Sequence, residues 1–440
     1  MNKKVVILGA GLSGLNCARQ LSGVLDYGLY EKENTAGGLC RTVSQDGFLF
    51  DYTGHLLHLK NPAIKTLVKS LLRENLCLLY RHSWIYSHQT YTRYPFQSNT
   101  HGLPASVIKE CVLGFIKARI EERPGSKQEE GFYDWVLRNF GRGIGKHFMF
   151  GYNEKLWTVP AKKLTAEWLG KYVPKPTPDE VITGALLDQT RRVGYNASFY
   201  YPRYKGIQAL PDALAHSLPE LNLLAEASQI NLHDKVVKFS SGLELKYEHL
   251  VSSISLKELT NIIEDWPSKL RESAAALKYN EVLNINLGVK PGLPTNKHWI
   301  YFPEKKYPFY RVGYSSNFSR CNHPAGTSSL YVEIACKAGT LATLNNKQVD
   351  RLVNESLAKL RQIGILQDLS QVVALNILKI SPAYCLYDFN RTLAVNMIRA
   401  FLKSRGVYSI GRYGAWEYSA MEDALEWGRS TAELIKSSYQ

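Results

Sequence analysis

Paired cysteines, long apolar runs and acidic residues are all scarce in this sequence of 440 residues. The seven cysteines form no CxxC pair and no regular ladder, which argues against a disulfide framework and indicates reduced, mostly buried thiols. No apolar run approaches the roughly 18 residues that a membrane span needs. The start, MNKKVVIL, imitates a signal peptide, but no small-residue cleavage site follows it. We therefore expect a soluble, cytoplasmic protein without a membrane span.

The deficit of acidic residues, 39 against 54 lysines and arginines, gives the chain a formal net charge of +15. This surplus suits anionic partners, although a generally basic, solvated surface would explain it equally well. The apolar fraction of 45% is that of a globular protein. The length allows about two or three domains. The sequence contains no recognisable nucleic-acid-binding module, and we expect no metal site. Whether the protein forms an oligomer stays open.

What the sequence does contain is a dinucleotide-binding fingerprint at its start. A short apolar strand ends at Gly9, the turn continues through Gly11 and Gly14, and a helical stretch and a second strand follow. Gly9 makes the tight turn, Gly11 lets the backbone approach a pyrophosphate, and Gly14 lets the helix pack on the strand. The helix N-terminus offers free N–H groups to phosphates. The second strand ends at Glu31, where a carboxylate can bind ribose hydroxyls.

A second glycine turn distinguishes FAD from NAD as the expected cofactor. The residues NTAGGLCRT follow Glu31 and contain Gly37, Gly38 and Arg41. This arrangement resembles flavoproteins of the amine oxidase and glutathione reductase type, in which the turn packs near the pyrophosphate and ribityl chain, with the arginine as a counter-charge. A simple nicotinamide dehydrogenase does not need it. We therefore expect the dinucleotide to be FAD.

Later segments return to the same sheet, which predicts a discontinuous domain. Strand-like alternation over 225–255 includes Val237, a candidate for the strand beneath the adenine, and VYSIG forms a final strand. We predict an α/β fold in which a Rossmann-type, glutathione reductase-like FAD-binding domain carries a helical insert and a strand-rich substrate domain. The predicted boundaries are 1–60, 203–258 and 385–440 for the FAD-binding domain, 61–202 for the helical substrate-side insert and 259–384 for the β-sheet substrate domain.

The segment GRYGAWEY, which begins at Gly411, precedes a helix predicted over 421–435. Gly411 would let the backbone pass close to the flavin, and Arg412 would lie near the flavin diphosphate or the substrate. Met421 begins a helix whose N-terminus would point toward the isoalloxazine or ribityl group. The aromatic residues of this segment would line the cavity over the ring, with core packing as the alternative.

A series of separated motifs resembles the UDP-galactopyranose mutases, especially their eukaryotic-like branch, within the amine oxidase and protoporphyrinogen oxidase-like flavoproteins. The motifs extend over nearly the whole chain: GHLLHLKNPAI, YPFQSN, HFMFGYNEKLWTVP, AEWLGKYVP, GYNASFYYP, WIYFPEKKYPFYRVGYSSNFS, AYCLYDFNR and GRYGAWEY. The resemblance implies an isomerase in which N5 of reduced FAD attacks the anomeric carbon of a nucleotide-activated sugar, whose ring then opens and recloses. It also implies NAD(P)H as the reductant.

The resemblance implies site roles residue by residue. His55 would lie against the reactive side of the flavin, Arg412 beside flavin and sugar, and Arg311 would be the main diphosphate cation, and these three are the implied catalytic residues. The implied substrate-binding residues would hold the base, the phosphates and the sugar. They are Gln97, Asn153, Trp157, Tyr172, Asn196, Tyr301, Arg311, Tyr384 and Tyr418.

Two positions depart from the pattern of that family. Tyr172 stands where the family has a second diphosphate-binding arginine, and Phe318 stands where it has a tyrosine. Loss of a charged partner costs about 2 kcal/mol in phosphate binding unless Lys171 or Arg203 compensates.

Two other functions stay open at this point. The first is a FAD-dependent oxidoreductase or desaturase of the amine oxidase type, in which the flavin accepts a hydride. The second is a non-catalytic basic flavoprotein that recruits a partner. Gln97, Asn153, Arg311 and Tyr384 favour the mutase-like function, because a site that removes a hydride needs no groove for a base and a diphosphate.

Overall fold

The computed structural model of the protein describes residues 2–121, 131–170, 172–190 and 197–439. The strands, numbered in chain order, are β1 (Asn2–Leu8), β2 (Tyr27–Tyr30), β3 (Thr42–Gln45), β4 (Phe48–Asp51), β5 (Leu76–Tyr80), β6 (Ser83–Ser87), β7 (Thr90–Arg93), β8 (Ser198–Pro202), β9 (Leu221–Asn222), β10 (Ala227–Asn231), β11 (Val236–Phe239), β12 (Glu244–Ser252), β13 (Tyr279–Val289), β14 (Trp299–Tyr301), β15 (Arg311–Gly313), β16 (Ser328–Lys337), β17 (Val372–Cys385) and β18 (Val407–Ser409).

The α-helices, numbered in the same way, are α1 (Leu12–Leu21), α2 (Pro62–Leu72), α3 (Ala105–Ile120), α4 (Phe132–Ile144), α5 (Phe150–Trp157), α6 (Pro178–Leu186), α7 (Ala209–Ala215), α8 (Leu256–Ile262), α9 (Arg271–Ala276), α10 (Thr340–Thr343), α11 (Asn346–Gln362), α12 (Arg391–Ser404), α13 (Gly411–Gly414) and α14 (Met421–Ser437). A π-helical turn, Gly145–Met149, joins α4 to α5. Among the described residues, no helix is both long and apolar enough to cross a bilayer.

The first sheet is built around the N-terminal strand. Its order is β10-β11-β12-β1-β2-β9, and β18 pairs with the C-terminal part of β12. β1 runs parallel to β2 on one side and to β12 on the other. Its apolar run VVIL is buried throughout, as is typical of a parallel strand covered on both faces. This Rossmann-type sheet brings the start of the chain beside strands that lie more than half the sequence away.

The C-terminal helix α14 is fixed directly on α1. The side-chain amide of Asn16 donates to the carbonyl oxygen of Leu425 at 2.7 Å. A Cβ added to Gly428 would lie 2.3 Å from the carbonyl oxygen of Ser13, so only glycine permits this approach. The packing places the middle of α14 against the first half of α1, while Glu422, in the first turn of α14, accepts from the N–H groups of Lys60 and Asn61.

The second sheet is mostly antiparallel, with the order β17-β13-β16-β15-β14-β6-β7. β6 and β7 come from the segment 61–202 and join it through a parallel pairing of β6 with β14. Apolar residues of β13, β14 and β16 form its core together with α11. The division of the chain into domains stays a prediction, as does the cytoplasmic location.

Candidate active site

The glycine turn after β1 combines a tightly packed side with an open side. Gly9 has a φ of +93°, and its N–H donates to the carbonyl oxygen of Tyr30 at 2.8 Å. A Cβ on Gly14 would lie 2.0 Å from the carbonyl oxygen of Gly9, so helix and strand approach as closely as backbone permits. Within the described part of the chain, a Cβ on Gly11 would meet nothing within 4 Å. The space over Gly11 is therefore free for a ligand group at the N-terminus of α1.

The second glycine turn packs against the first. The N–H of Gly37 donates to the carbonyl oxygen of Ala10 at 2.8 Å, and a Cβ on Gly38 would lie 3.4 Å from the Cα of Gly11. Gly37 and Gly38 have φ values of +124° and +58°, which glycine adopts without strain. The Nε of Arg41 donates to the carbonyl oxygen of Gly38 at 2.8 Å. The two turns and Arg41 thus form one continuous surface.

Glu31 holds this surface together from the end of β2. The carboxylate is buried, and its two oxygens accept from the backbone N–H groups of Ala10 at 2.7 Å and Glu33 at 3.0 Å. Val237 is fully buried in β11 of the same sheet. Open space at Gly11, the N–H donors of a helix N-terminus and a carboxylate acceptor beside the turn are the features that a dinucleotide requires, so these residues fit FAD.

His55 lies in the loop after β4. Thr53, two residues before it, has a φ of +77°, and its carbonyl oxygen accepts from the N–H of His55 at 3.1 Å. Burial and the charges of Arg412 and Arg311 lower the pKa of His55 to about 4. Its Nδ1 is buried and has no hydrogen-bond partner among the described residues. The three residues predicted as catalytic therefore lie within electrostatic reach of one another, and the imidazole is neutral at neutral pH.

Arg412 is the centre of an aromatic cluster. One of its terminal nitrogens, Nη1, donates to the carbonyl oxygen of Ser419 at 2.7 Å. The guanidinium carbon lies 5.1 Å from the ring centre of Tyr384 and 5.3 Å from that of Tyr418. Such contacts attract a cation to the ring face and fix the orientation of the guanidinium. The positive charge of Arg412 therefore has a defined place beside these two rings rather than at the surface.

Arg391 positions the segment that carries Arg412, and sequence reasoning missed it. Its Nε donates to the carbonyl oxygen of Trp416 at 3.1 Å, and its Nη2 donates to the same oxygen. Trp416 is fully buried with a φ of +56°, so it packs the core rather than lining a cavity. The hydroxyl of Tyr387 accepts from the N–H of Tyr418 at 2.8 Å. The segment GRYGAWEY is thus held at several backbone groups.

Tyr172 closes the aromatic cluster on one side. Its ring lies 4.9 Å from that of Tyr418, edge to face, and its hydroxyl donates to the carbonyl oxygen of Tyr418 at 3.4 Å. Trp157, fully buried, lies 5.7 Å from Tyr384 and 5.9 Å from Tyr418. The position at which the resemblance implies a cation is therefore occupied by an aromatic ring that is docked on its neighbour.

Arg311 forms a two-pronged ion pair that sequence reasoning did not foresee. Its Nε and Nη2 donate to the two carboxylate oxygens of Glu333 at 2.8 and 2.6 Å. Glu333 is fully buried, whereas 19% of the Arg311 side chain is exposed. The two residues face each other across β15 and β16. A guanidinium has five N–H groups, so three remain for another anion.

The amides predicted to hold the nucleotide base are buried and fixed. The Nε2 of Gln97 donates to the carbonyl oxygen of Pro174 at 2.8 Å, and the Nδ2 of Asn153 donates to that of Met149 at 2.8 Å. Tyr301, in β14, lies 5.1 Å from the ring of Tyr152 on α5. Asn196, also predicted for this site, lies outside the described residues, as does Lys171.

Comparison with known proteins identifies the family. A model described as flavin containing amine oxidoreductase matches residues 12–436. The chain belongs to this family. Within the family of flavin-containing amine oxidoreductases, the fold resembles the crystal structure of reduced UDP-galactopyranose mutase, with a TM-score of 0.90 and 26% identity over 100% of this chain and 94% of that chain.

Two further proteins to which the chain is similar are named as oxidases. A putative protoporphyrinogen oxidase from Exiguobacterium sp. 255-15 shares the fold, with a TM-score of 0.76 and 15% identity over 99% of both chains. The mitochondrial protoporphyrinogen oxidase of Nicotiana tabacum is 39% identical over 74 residues, which are 16% of this chain and 15% of that enzyme. The predicted α/β fold with a Rossmann-type FAD-binding sheet is confirmed, and so is the resemblance to the mutase within this family.

Proposed function

We propose that the protein is a FAD-dependent, UDP-galactopyranose mutase-like isomerase that interconverts ring forms of a nucleotide-activated sugar without net redox change. The observation that carries this proposal is the likeness to the reduced mutase over the whole chain. The site residues Arg311, Arg412 and His55 support it, because they place two cations and a neutral imidazole together.

The cofactor would be held by the surface around the glycine turns. When bound and reduced by NAD(P)H, FAD would supply N5 as the nucleophile for the anomeric carbon of the sugar. The residues that would hold it are Gly9, Gly11, Gly14, Glu31, Gly38, Arg41, Val237, Gly411, Arg412 and Met421.

The leaving diphosphate would meet the cations of the site. The free N–H groups of Arg311 would bind phosphate oxygens, and Arg412, fixed by Tyr384 and Tyr418, would neutralise charge beside the sugar. His55 stays uncharged at neutral pH because its pKa is lowered to about 4. It can therefore donate or accept a hydrogen bond there without adding a third positive charge that would attract the diphosphate. The surrounding rings would exclude water from the anomeric carbon.

The base would lie at the far end of this groove. The side-chain amide nitrogens of Gln97 and Asn153 each donate to a backbone carbonyl oxygen, which fixes the direction of the side-chain carbonyl oxygen of each residue. Tyr301 would supply apolar contact, and the fully buried Trp157 would pack nearby. A buried amide that is already oriented discriminates well between bases, because a mismatched partner leaves polar groups unpaired.

A flavin-dependent oxidoreductase is the second candidate. The family description, amine oxidoreductase, favours it. In that case the site would remove a hydride from its substrate, and oxygen would reoxidise the flavin with formation of hydrogen peroxide.

Turnover separates the two functions. With dithionite-reduced protein and a panel of nucleotide sugars, we expect ring isomers of one sugar, detected by mass spectrometry and chromatography, with no stoichiometric consumption of oxidant. The oxidised protein is the control and should be inactive, since the nucleophile is absent. Hydrogen peroxide produced in step with product would support the oxidoreductase and exclude the isomerase.

Tyr172 decides how much of the diphosphate charge the site can hold. Tyr172→Arg should restore a second cation and tighten UDP binding to the FAD-loaded protein by about 10-fold, measured by calorimetry. Tyr172→Phe, the matched control, keeps the ring and removes the hydroxyl with its long contacts to the Tyr418 carbonyl oxygen and the Asp423 carboxylate, and it should leave UDP affinity nearly unchanged. Tighter UDP with impaired turnover would indicate a different native leaving group, and unchanged UDP affinity would mean that position 172 does not face the diphosphate.

A further inference from the structure

Lys155 makes an arrangement of contacts that the proposed chemistry does not use. It lies on α5, and its Nζ donates to the carbonyl oxygens of Phe309 at 2.6 Å, Phe302 at 2.7 Å and Glu304 at 3.1 Å. An ammonium carries three N–H donors, so all three are engaged by backbone. The carboxylate of Glu304 pairs with Lys306 at 3.2 Å instead of with Lys155.

These carbonyl oxygens belong to the connection between β14 and β15, residues 302–310, which we call the clamp loop. The loop begins directly after Tyr301 and ends directly before Arg311, and these two residues are paired across the strands. Lys155 binds the loop on both of its arms, because Phe302 is its first residue and Phe309 is next to its last. The arms are joined to each other by the bond from the N–H of Phe302 to the carbonyl oxygen of Tyr310 at 2.9 Å, and Lys155 ties both of them to α5.

The helix that carries Lys155 also carries two residues of the proposed groove, and it packs closely on the clamp loop. Asn153 and Trp157 are the residues two positions before and two positions after Lys155. A Cβ on Gly151 would lie 2.9 Å from the carbonyl oxygen of Pro303 in the loop. The two halves of the groove, one on α5 and one on β14 and β15, thus meet at this contact.

We propose that Lys155 is a positioning residue, whose ammonium holds the clamp loop so that Tyr301 and Arg311 face Asn153 and Trp157 across one nucleotide-diphosphate groove. The inference rests on the proposed function, since it assigns Lys155 a part in binding that class of ligand. Lys155 itself need not touch the ligand. Removing its ammonium would move the clamp loop away from α5 without removing a direct contact to the ligand.

The charge of Lys155 matters because a neutral amine has only two N–H groups and would leave one loop carbonyl without a donor. Burial lowers the pKa of Lys155 to about 7, and the charge of Glu304 acts in the opposite direction. The charged residues of the clamp loop are Glu304, Lys305 and Lys306, of which Lys306 pairs with Glu304, and Glu154 on α5 accepts from the N–H of Ala161. Because the protonated form holds the loop, nucleotide affinity should decrease as pH rises through about 7.

The first variant is Lys155→Met, which keeps an unbranched apolar stem and removes the donors. In FAD-loaded protein we expect UDP affinity to fall by about 10- to 100-fold, measured by calorimetry. Lys306→Met is the matched control, because it removes an exposed amine from the same loop and should leave UDP affinity unchanged. Hydrogen exchange of the clamp-loop amides should rise in Lys155→Met only.

The pH profile distinguishes positioning from mere support of the fold. UDP affinity of the wild type should decline from acidic to alkaline pH more steeply than that of Lys155→Met, and the comparison cancels the ligand's own ionisation. Equal affinity and equal profiles in the two proteins would overturn the inference while leaving the function intact. If Lys155→Met does not fold, Gly151→Ala, which displaces the loop at the Pro303 carbonyl, must lower UDP affinity in its place. A wild type that does not bind UDP would overturn both proposals.

Discussion

Gly11→Val should give a protein that folds normally but purifies colourless. A Cβ at position 11 would meet no atom of the described residues within 4 Å, so the fold should tolerate valine there, yet the side chain would fill the space that a pyrophosphate needs. We expect the affinity for FAD to fall at least about 100-fold, judged by flavin absorbance after addition of excess FAD. Gly14→Ala should instead impair folding, because its Cβ would lie 2.0 Å from the carbonyl oxygen of Gly9 and must distort the turn itself.

Gly131→Val is the matched control for a larger side chain at a glycine N-cap. Gly131 caps α4 with φ −65° and ψ 143°, and Gly11 caps α1 with φ −70° and ψ 175°, so both are extended. The nearest atom to a Cβ on Gly131 is 3.5 Å away. This variant should keep its flavin. A Gly11→Val protein that retains FAD would contradict the dinucleotide site, and a wild type that takes up no flavin would contradict the whole assignment.

Arg311→Ala is expected to have two separate effects, one on the fold and one on the ligand. Removing the guanidinium leaves the fully buried carboxylate of Glu333 without its partner, which should cost about 3–5 kcal/mol of unfolding free energy. If Arg311 binds the diphosphate as proposed, its removal should also weaken UDP binding by about 2–4 kcal/mol, roughly 30- to 1000-fold. The single variant confounds these effects, because a partly unfolded protein also binds less UDP.

The double variant Arg311→Ala/Glu333→Gln separates them. It removes both charges, so thermal stability should recover most of the loss while UDP affinity stays low. Glu333→Gln alone keeps the guanidinium and serves as the control, with UDP affinity equal to or above that of the wild type. Calorimetric titration of FAD-loaded protein and thermal melts provide both readouts. UDP affinity that recovers fully in the double variant would show that no diphosphate contacts Arg311, and the nucleotide-sugar assignment should then be abandoned.

Elements whose cause is local could be predicted from the sequence. The strand, glycine turn and helix at the start follow from an apolar run and the spacing of glycines, and α14 was predicted over 421–435 and observed as Met421–Ser437. The same local reasoning missed β6 and β7, short strands in a segment expected to be helical, since β6 pairs with β14, far along the chain, and β7 extends the sheet by pairing with β6.

The partners of the site residues could not be predicted for the same reason. Glu333 faces Arg311 only because of the register between β15 and β16, and the spacing of residues in the sequence does not predict that register. Arg391 acts on the carbonyl oxygen of Trp416, a backbone atom whose direction depends on an unusual φ of +56°. His55, Arg311 and Arg412 were predicted together from the resemblance, and the structure places them within electrostatic reach, while their roles stay proposals.

The packing of α1 on α14 has a consequence for how the protein is made. β1 needs β12 as a neighbour, and α1 packs on the helix that begins at Met421, so Asn16 waits during synthesis for a partner 409 residues further along the chain. While the ribosome is still at work, the apolar strand VVIL has an unpaired edge, which is a hazard for aggregation. We therefore expect FAD to bind only after β12 and α14 have joined the N-terminal unit. A nascent chain stalled before α14 would expose the face of α1 that this helix covers.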